Sequence, residues 1–308
     1  MSDRLHTPFV IGMDGGGTKT KACIADLEGK VIDALEGGSM NVNSAGRDGV
    51  IQNITALLQA IQKRGWAWNG LRGLCLAAAG VSNPLTREVL EEAVRQAGIG
   101  IRPIIIGDHQ AALYGAHRGG TGMILIAGTG SVCYGKNEQG QEARSGGFGH
   151  LIDDEGSAYA LGRDVLSAVV QAEDGRIPPT VMRSTVMQRI GTDSIAGLIQ
   201  WVYAPSTGKK DIAALAPIVM EGWQAGETAA AAILDRAAEE LARLVVPVAG
   251  ALGMKQGVVA LCGSVLLRNE EIRRRVAMKL SGLMPQLQLI APLCDAATGA
   301  VLRCLEEL

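Results

Sequence analysis

Several short stretches carry the side chains that could do chemistry. The first is Asp14-Gly15-Gly16-Gly17-Thr18-Lys19-Thr20, which closes the apolar run Phe9–Met13. Glycines remove Cβ atoms, so backbone amides can approach an anion closely, with the Thr18 hydroxyl and Lys19 ammonium beside them. Asp14, at the end of the run, could hold water on a metal ion. The same residues also make an ordinary hairpin turn, and alone they leave both readings open. The second stretch is Gly107-Asp108-His109, where an apolar strand gives way to a helical pattern. Ligands of α/β sheets sit at such turns. There Asp108 suits a general base, and it suits a helix cap equally well. The third is Gly128-Thr129-Gly130-Ser131, a second glycine and hydroxyl turn. The fourth, Gly146–Gly156, is rich in glycine and acid, with Asp153, Asp154 and Glu155 in a row. Three acids before a helix also read as a favourable charge on its dipole. Asn41, in the polar loop after Gly37-Gly38, offers an amide that both donates and accepts. Gly263-Ser264 ends a later apolar run, a common strand ending.

The elements that must position these residues follow strand and helix order. Lys21–Asp26 and Lys30–Leu35 read as strands joined at Glu28-Gly29, and Val50–Lys63 as a helix with one apolar face. Leu71–Ala78 is a strand, Asn83 caps a helix opened by Pro84, and Arg102–Ile106 is the strand before Asp108. Then the grammar restarts. Met123–Ala127, a glycine turn, Val132–Lys136, Gln139-Gly140, Glu142–Arg144 and Gly146-Gly147 repeat the punctuation of residues 9–38, which points to an internal duplication. Downstream, Glu155–Glu173, Lys209–Gly226 and Glu227–Leu252 are expected as helices. Val258–Cys262 is a strand, Asn269–Leu280 a basic helix, Leu287–Ile290 a short strand, and Asp295 caps a closing helix to Leu305. The expectation is an α/β protein with domains at 1–117 and 118–308, the last helix free to return to the first.

Composition excludes several classes. The chain has 308 residues, 47% hydrophobic and 19% charged, with a net charge of −2. No basic block stands out, so a nucleic-acid partner has no electrostatic support. The opening residues do not form a signal peptide. The apolar stretch Leu244–Met254 is far shorter than the roughly 20 residues that span a membrane. Cysteines 23, 75, 133, 262, 294 and 304 are scattered, without a CxxC pair or Cys/His cluster, so zinc, iron–sulfur and a disulfide scaffold are disfavoured. A cytoplasmic protein with reduced thiols is expected.

DGGGTKT, GDHQAAL, IAGTGSVCYG, SGGFGHLIDDEGSAYALGR and LCGSV follow one another in that order. This series resembles the N-acetylglucosamine kinases, in the BadF/BadG/BcrA/BcrD-type branch of the sugar kinase/Hsp70/actin superfamily. The resemblance implies two duplicated ribonuclease-H-like (actin-like ATPase) domains around a central cleft, with ATP and Mg²⁺ in the cleft and a small sugar beside them. It implies that Gly15, Gly16, Gly17, Thr18 and Lys19 form one phosphate turn. Thr129 and Gly130 form the other, facing it, with Gly263 and Ser264 on the adenosine side. Asp14 would hold Mg²⁺ through water, and Asp108 would be the catalytic base. The sugar would meet Asn41, Asp108, Gly128, Thr129, Gly147, Phe148 and Asp154. Two residues depart from the pattern: Phe148 stands where it has Trp, and Asp153 where it has Gly. The implied activity is ATP-dependent phosphorylation of an amino sugar, N-acetyl-D-glucosamine at the 6-hydroxyl, by a homodimer. Alternatives are a glucosamine or N-acetylmuramic acid kinase, a dehydratase-activator ATPase, or a non-catalytic sugar-sensing regulator. The activators ligate an iron–sulfur cluster through cysteine, for which this chain has no suitable exposed glycine-rich turn.

Overall fold

Alternation along β1 (Phe9–Gly15) determines how the first half is layered. Phe9, Ile11 and Met13 point into one apolar core, and Val10 into another on the opposite face of the sheet. The computed structural model describes residues 7–16 and 18–308. The chain forms two units, one holding Met1–Thr121 with Ala291–Leu308, the other Gly122–Ile290. The expected boundary at 117/118 therefore falls in the turn before the second unit begins.

In the first unit β1 pairs antiparallel with β2 (Lys19–Ala25), which pairs antiparallel with β3 (Val31–Gly38). On its other side β1 runs parallel to β4 (Leu71–Ala78), and β4 to β5 (Ile104–Gly107). The sheet order is β3-β2-β1-β4-β5. One face is covered by α1 (Val42–Lys63) and α2 (Pro84–Gln96), which bring Ile54, Leu58, Val89 and Leu90 onto Ile11 and Met13. Asn83 caps α2 by accepting from Leu85 N, with Pro84 in its first turn. The other face is covered by α3 (Asp108–His117) and α12 (Ala296–Leu305). These two helices touch backbone to backbone: a Cβ on Gly299 would lie 1.9 Å from the Ala111 carbonyl oxygen. Asp295 caps α12 by accepting from Thr298 N.

The second unit repeats the first sheet. β6 (Gly122–Ala127), β7 (Ser131–Lys136) and β8 (Glu142–Gly146) form the antiparallel meander, and β9 (Gly257–Cys262) and β10 (Leu287–Ile290) add parallel strands. Its order, β10-β9-β6-β7-β8, matches that of the first sheet strand for strand. Six helices, α4 (Ala158–Glu173), α5 (Met182–Ile190), α6 (Ile195–Val202), α7 (Lys209–Ala213), α8 (Ile218–Gln224) and α9 (Thr228–Ala251), lie between β8 and β9. α9 buries Ile233, Leu234, Ala237, Leu241, Val245 and Val248 at helical spacing. Short α10 (Ser264–Arg268) and α11 (Glu270–Leu283) link β9 to β10.

Two expectations change here. The single helix expected over Lys209–Gly226 is two, α7 and α8, because Pro217 lacks the amide that a continuous helix would use. The helix expected from Val50 begins at Val42 and is kinked at Gly46, whose φ of 71° and ψ of 171° are non-helical. Among the described residues, no helix is long and apolar enough to cross a membrane.

Candidate active site

The first glycine turn closes the β1–β2 hairpin, with Gly16 N donating to Lys19 O at 2.9 Å and Gly15 in register with Thr20. Gly17 lies outside the described residues. The turn is held from behind by Ser39, which sequence reasoning did not single out. Its hydroxyl donates to the Gly16 carbonyl at 3.0 Å and accepts from Asn41 N at 3.1 Å. Thr20 adds a bond from its hydroxyl to Gly38 O at 2.7 Å. One buried serine thus ties the glycine turn to the loop that carries Asn41. Asn41 itself caps α1, its side-chain oxygen accepting from Asn43 N at 2.9 Å. Lys19 is exposed and paired with Glu36 at 2.7 Å, and Thr18 is exposed.

Two carboxylates lie at the ends of strands of one parallel set. Asp14 leaves β1 in register with Lys21, and Asp108 follows β5 as the first residue of α3. The capping interaction belongs to Gly107, whose N–H donates to Gln110 Oε1 at 3.0 Å. The Asp108 side chain is 50% exposed and accepts from His109 N at 2.9 Å. Burial, then the charge of Asp108, then that of Asp295 push the Asp14 carboxyl up to about 6, against the opposing pull of Lys21. A buried acid in the field of two others favours a proton or a cation. Hard carboxylate oxygens that leave room for water suit Mg²⁺. Asp14 therefore fits a water-mediated metal contact.

The second turn is fastened to the start of α4. Ala158 N donates to Gly128 O at 2.8 Å, the Ser131 hydroxyl to Glu155 O at 2.7 Å, and Ser131 N to Asp154 Oδ1 at 3.1 Å. Thr129 is exposed at its tip, and a Cβ on Gly128 would meet only open space. Gly130 has no such room: a Cβ there would lie 2.7 Å from Asp154 Oδ1. Asp154 takes a left-handed φ of 66°, uncommon for a residue with a side chain, and is 3% exposed. Its Oδ2 pairs with Lys209 Nζ at 2.6 Å. The sugar contact implied for Asp154 thus meets a carboxylate whose two oxygens each have a protein partner.

The neighbouring loop is organised differently. Gly147 has φ 76°, and the Arg144 guanidinium donates to the carbonyls of Gly146 and Gly147. Phe148 is 69% exposed, with the guanidinium 5.2 Å from its ring centre. Asp153, the departure from the kinase pattern, closes the loop by accepting from Phe148 N at 2.9 Å. Gly263 has φ 85° and a carbonyl that accepts from Leu267 N, with Ser264 opening α10. In the first unit the structure gathers Asp14, Asp108, Gly15, Gly16 and Asn41 around β1. In the second it gathers Gly128–Ser131 with Asp154, and places Gly147 and Phe148 in the adjoining loop.

Two α/β units with the same mixed sheet, each carrying a glycine turn after its first strand, define the actin-like ATPase class. The chain belongs to the BadF/BadG/BcrA/BcrD ATPase family, whose sequence model matches residues 11–303. It is 32% identical to an N-acetylmuramic acid/N-acetylglucosamine kinase of Clostridium acetobutylicum, over 96% of this chain and 97% of that one. It is 28% identical to an N-acetyl-D-glucosamine kinase of Dictyostelium discoideum, over 96% and 98%. The crystal structure of a candidate N-acetylglucosamine kinase from Chromobacterium violaceum superposes with a TM-score of 0.78 at 27% identity, covering 96% of this chain and 98% of that one.

Proposed function

We propose that this protein transfers the γ-phosphate of ATP to the 6-hydroxyl of an amino sugar, N-acetyl-D-glucosamine first. The observation that carries the reading is the placement of two carboxylates at strand ends of one sheet, Asp14 at the end of β1 before the first glycine turn and Asp108 directly after β5. A phosphate turn alone binds anions. A second carboxylate at a nearby strand end supplies a proton acceptor. Asp108, half-exposed and relieved of capping by Gly107, takes the proton of the attacking hydroxyl as its bond to phosphorus forms. Asp14 would hold Mg²⁺ through water, and the ion would supply charge neutralisation at the phosphates. Gly15, Gly16, Gly17 and Thr18 offer amides and a hydroxyl for phosphate, as do Thr129 and Gly130. Lys19 exchanges its exposed partner Glu36 for the same task at little cost, since exposed pairs are weak. Gly263 and Ser264 serve the adenosine side. Asn41, Gly128, Thr129, Gly147 and Phe148 meet the sugar, and Asp154 acts from behind the second turn.

All six cysteines are free thiols, and burial pushes Cys262 up to about 12 and Cys304 up to about 11. Such thiols are unreactive; they favour a reducing compartment, and their burial fits a kinase rather than a cluster-bearing activator. N-acetylmuramic acid is the second acceptor to consider, because the 32% identical relative carries both sugars in its name. The test is coupled ADP release over N-acetylglucosamine, glucosamine, N-acetylmuramic acid and glucose. The expected outcome is the highest kcat/KM with N-acetylglucosamine and phosphate on C6 by NMR. A preference for glucosamine would replace the acceptor, and silence with every sugar would point to a regulator.

A further inference from the structure

We propose that Lys209 is a positioning residue for the second glycine turn, acting through Asp154 to set nucleotide affinity. The inference rests on the reading that this turn meets the phosphates of ATP. Asp154 occupies the space directly behind Gly130, where no Cβ fits, and its Oδ1 orients the amide of Ser131. That carboxylate is 3% exposed. Left uncompensated, its charge would oppose a polyphosphate arriving on the other side of the turn. It would also carry the full desolvation penalty of a buried ion. Lys209 removes both problems with one contact at 2.6 Å.

The ammonium is delivered from an anchored element. Lys209 opens α7, whose start is closed by Gly208 N donating to Asp211 Oδ2 at 2.8 Å. α7 lies against α4 so closely that a Cβ on Gly162 would fall 2.0 Å from the Ile212 carbonyl oxygen. The same α4 begins at the segment that fastens the turn through Ala158 N and the Glu155 carbonyl. Glu155 is in turn held by the fork of Arg163, at 2.7 and 2.8 Å. Turn, α4 and α7 form one braced body, and Lys209 is its charge-balancing member.

The test measures ATP and sugar kinetics for Lys209→Met, Lys209→Arg, Asp154→Asn and the double variant Lys209→Met/Asp154→Asn. Lys209→Met is expected to raise the KM for ATP about tenfold or more, with the sugar KM and kcat within about threefold, because it leaves a buried charge unpaired. Lys209→Arg should restore most of the affinity. The double variant should bind ATP better than Lys209→Met alone, because the stranded carboxylate is gone while the amide oxygen that replaces it still accepts from Ser131 N. If Lys209→Met does not fold, the double variant must fold and keep its ATP KM within about fivefold of wild type. A Lys209→Met protein with unchanged ATP KM, or a double variant no better than that single one, overturns the proposal. Calorimetric titration of ATP separates this from the kinase reading. If no sugar is phosphorylated, that reading fails, while the affinity ranking of the variants still decides the role of Lys209.

Discussion

Asp295 accepts from the backbone N–H and hydroxyl of Thr298 with one oxygen and pairs with Lys21 through the other. One carboxylate therefore starts α12 and ties it to β2, next to β1, which carries Asp14. The two duties differ in weight. Both partners of the ion pair are 40% or more exposed, so the pair contributes little to stability. The cap is worth about 1 kcal/mol. Asp295→Ala is expected to lower stability by about that amount, and Asp295→Asn by much less, because Asn also caps. Urea denaturation of the three proteins decides it: equal losses for Ala and Asn would show that the charge, not the cap, matters.

Asp14 should make the protein less stable at neutral pH than its neutral analogue. Its folded pKa of about 6 lies above the ordinary value of 3.8. The folded state thus holds the proton that the unfolded state releases, and stability falls as pH rises from about 4 to about 6, then levels off. Burial is the main cause, followed by the charges of Asp108 and Asp295, with Lys21 opposing them. Asp14→Asn is expected to be more stable than wild type at pH 7, by up to about 3 kcal/mol, and to lose that advantage by about pH 4. Melting curves over that range test the sign. A wild-type protein that gains on the variant as pH rises would refute the assignment.

Asp108→Asn keeps the shape of the side chain and its ability to accept from His109 N, but cannot take a proton. We expect kcat to fall by about 10²- to 10⁴-fold, with the sugar KM within a few-fold of wild type. Steady-state assays settle the matter, and turnover near wild type would remove Asp108 from the role of base.

Gly130→Ala places a methyl group 2.7 Å from Asp154 Oδ1. Either the turn or the buried carboxylate must move, and overpacking of this kind costs about 1–3 kcal/mol. The KM for ATP should rise along with the loss in melting temperature. Gly128→Ala, where a Cβ meets open space, is the control and should leave stability near wild type.

Local signals were legible in the sequence. Asn83 with Pro84, Asp295 before α12, and the glycine and X-Gly punctuation of both meanders are contained within a few residues, and each element formed where its own residues dictate. Contacts between distant segments were not legible. Lys209 reaches Asp154 across 55 positions, and nothing around Lys209 marks it as the partner of a buried acid. Ser39 was hidden for another reason: it sits in a polar loop where serine is ordinary, and only the fold turns its hydroxyl onto Gly16 O. Asp153, where the chain departs from the kinase pattern, accepts from Phe148 N within its own loop, a contact that the sequence does not announce.

Because α12 belongs to the first unit, the two units differ in when they can be completed during synthesis. Val10, Cys23, Cys75 and Ala77 lie under Ala297, Ala300, Val301 and Cys304, and that cover is translated after the whole of Gly122–Ile290. The second unit can close on itself as soon as β10 has left the ribosome. The first must wait with only α3 on that face of its sheet and the part under α12 bare, a nascent apolar surface of the kind that chaperones hold.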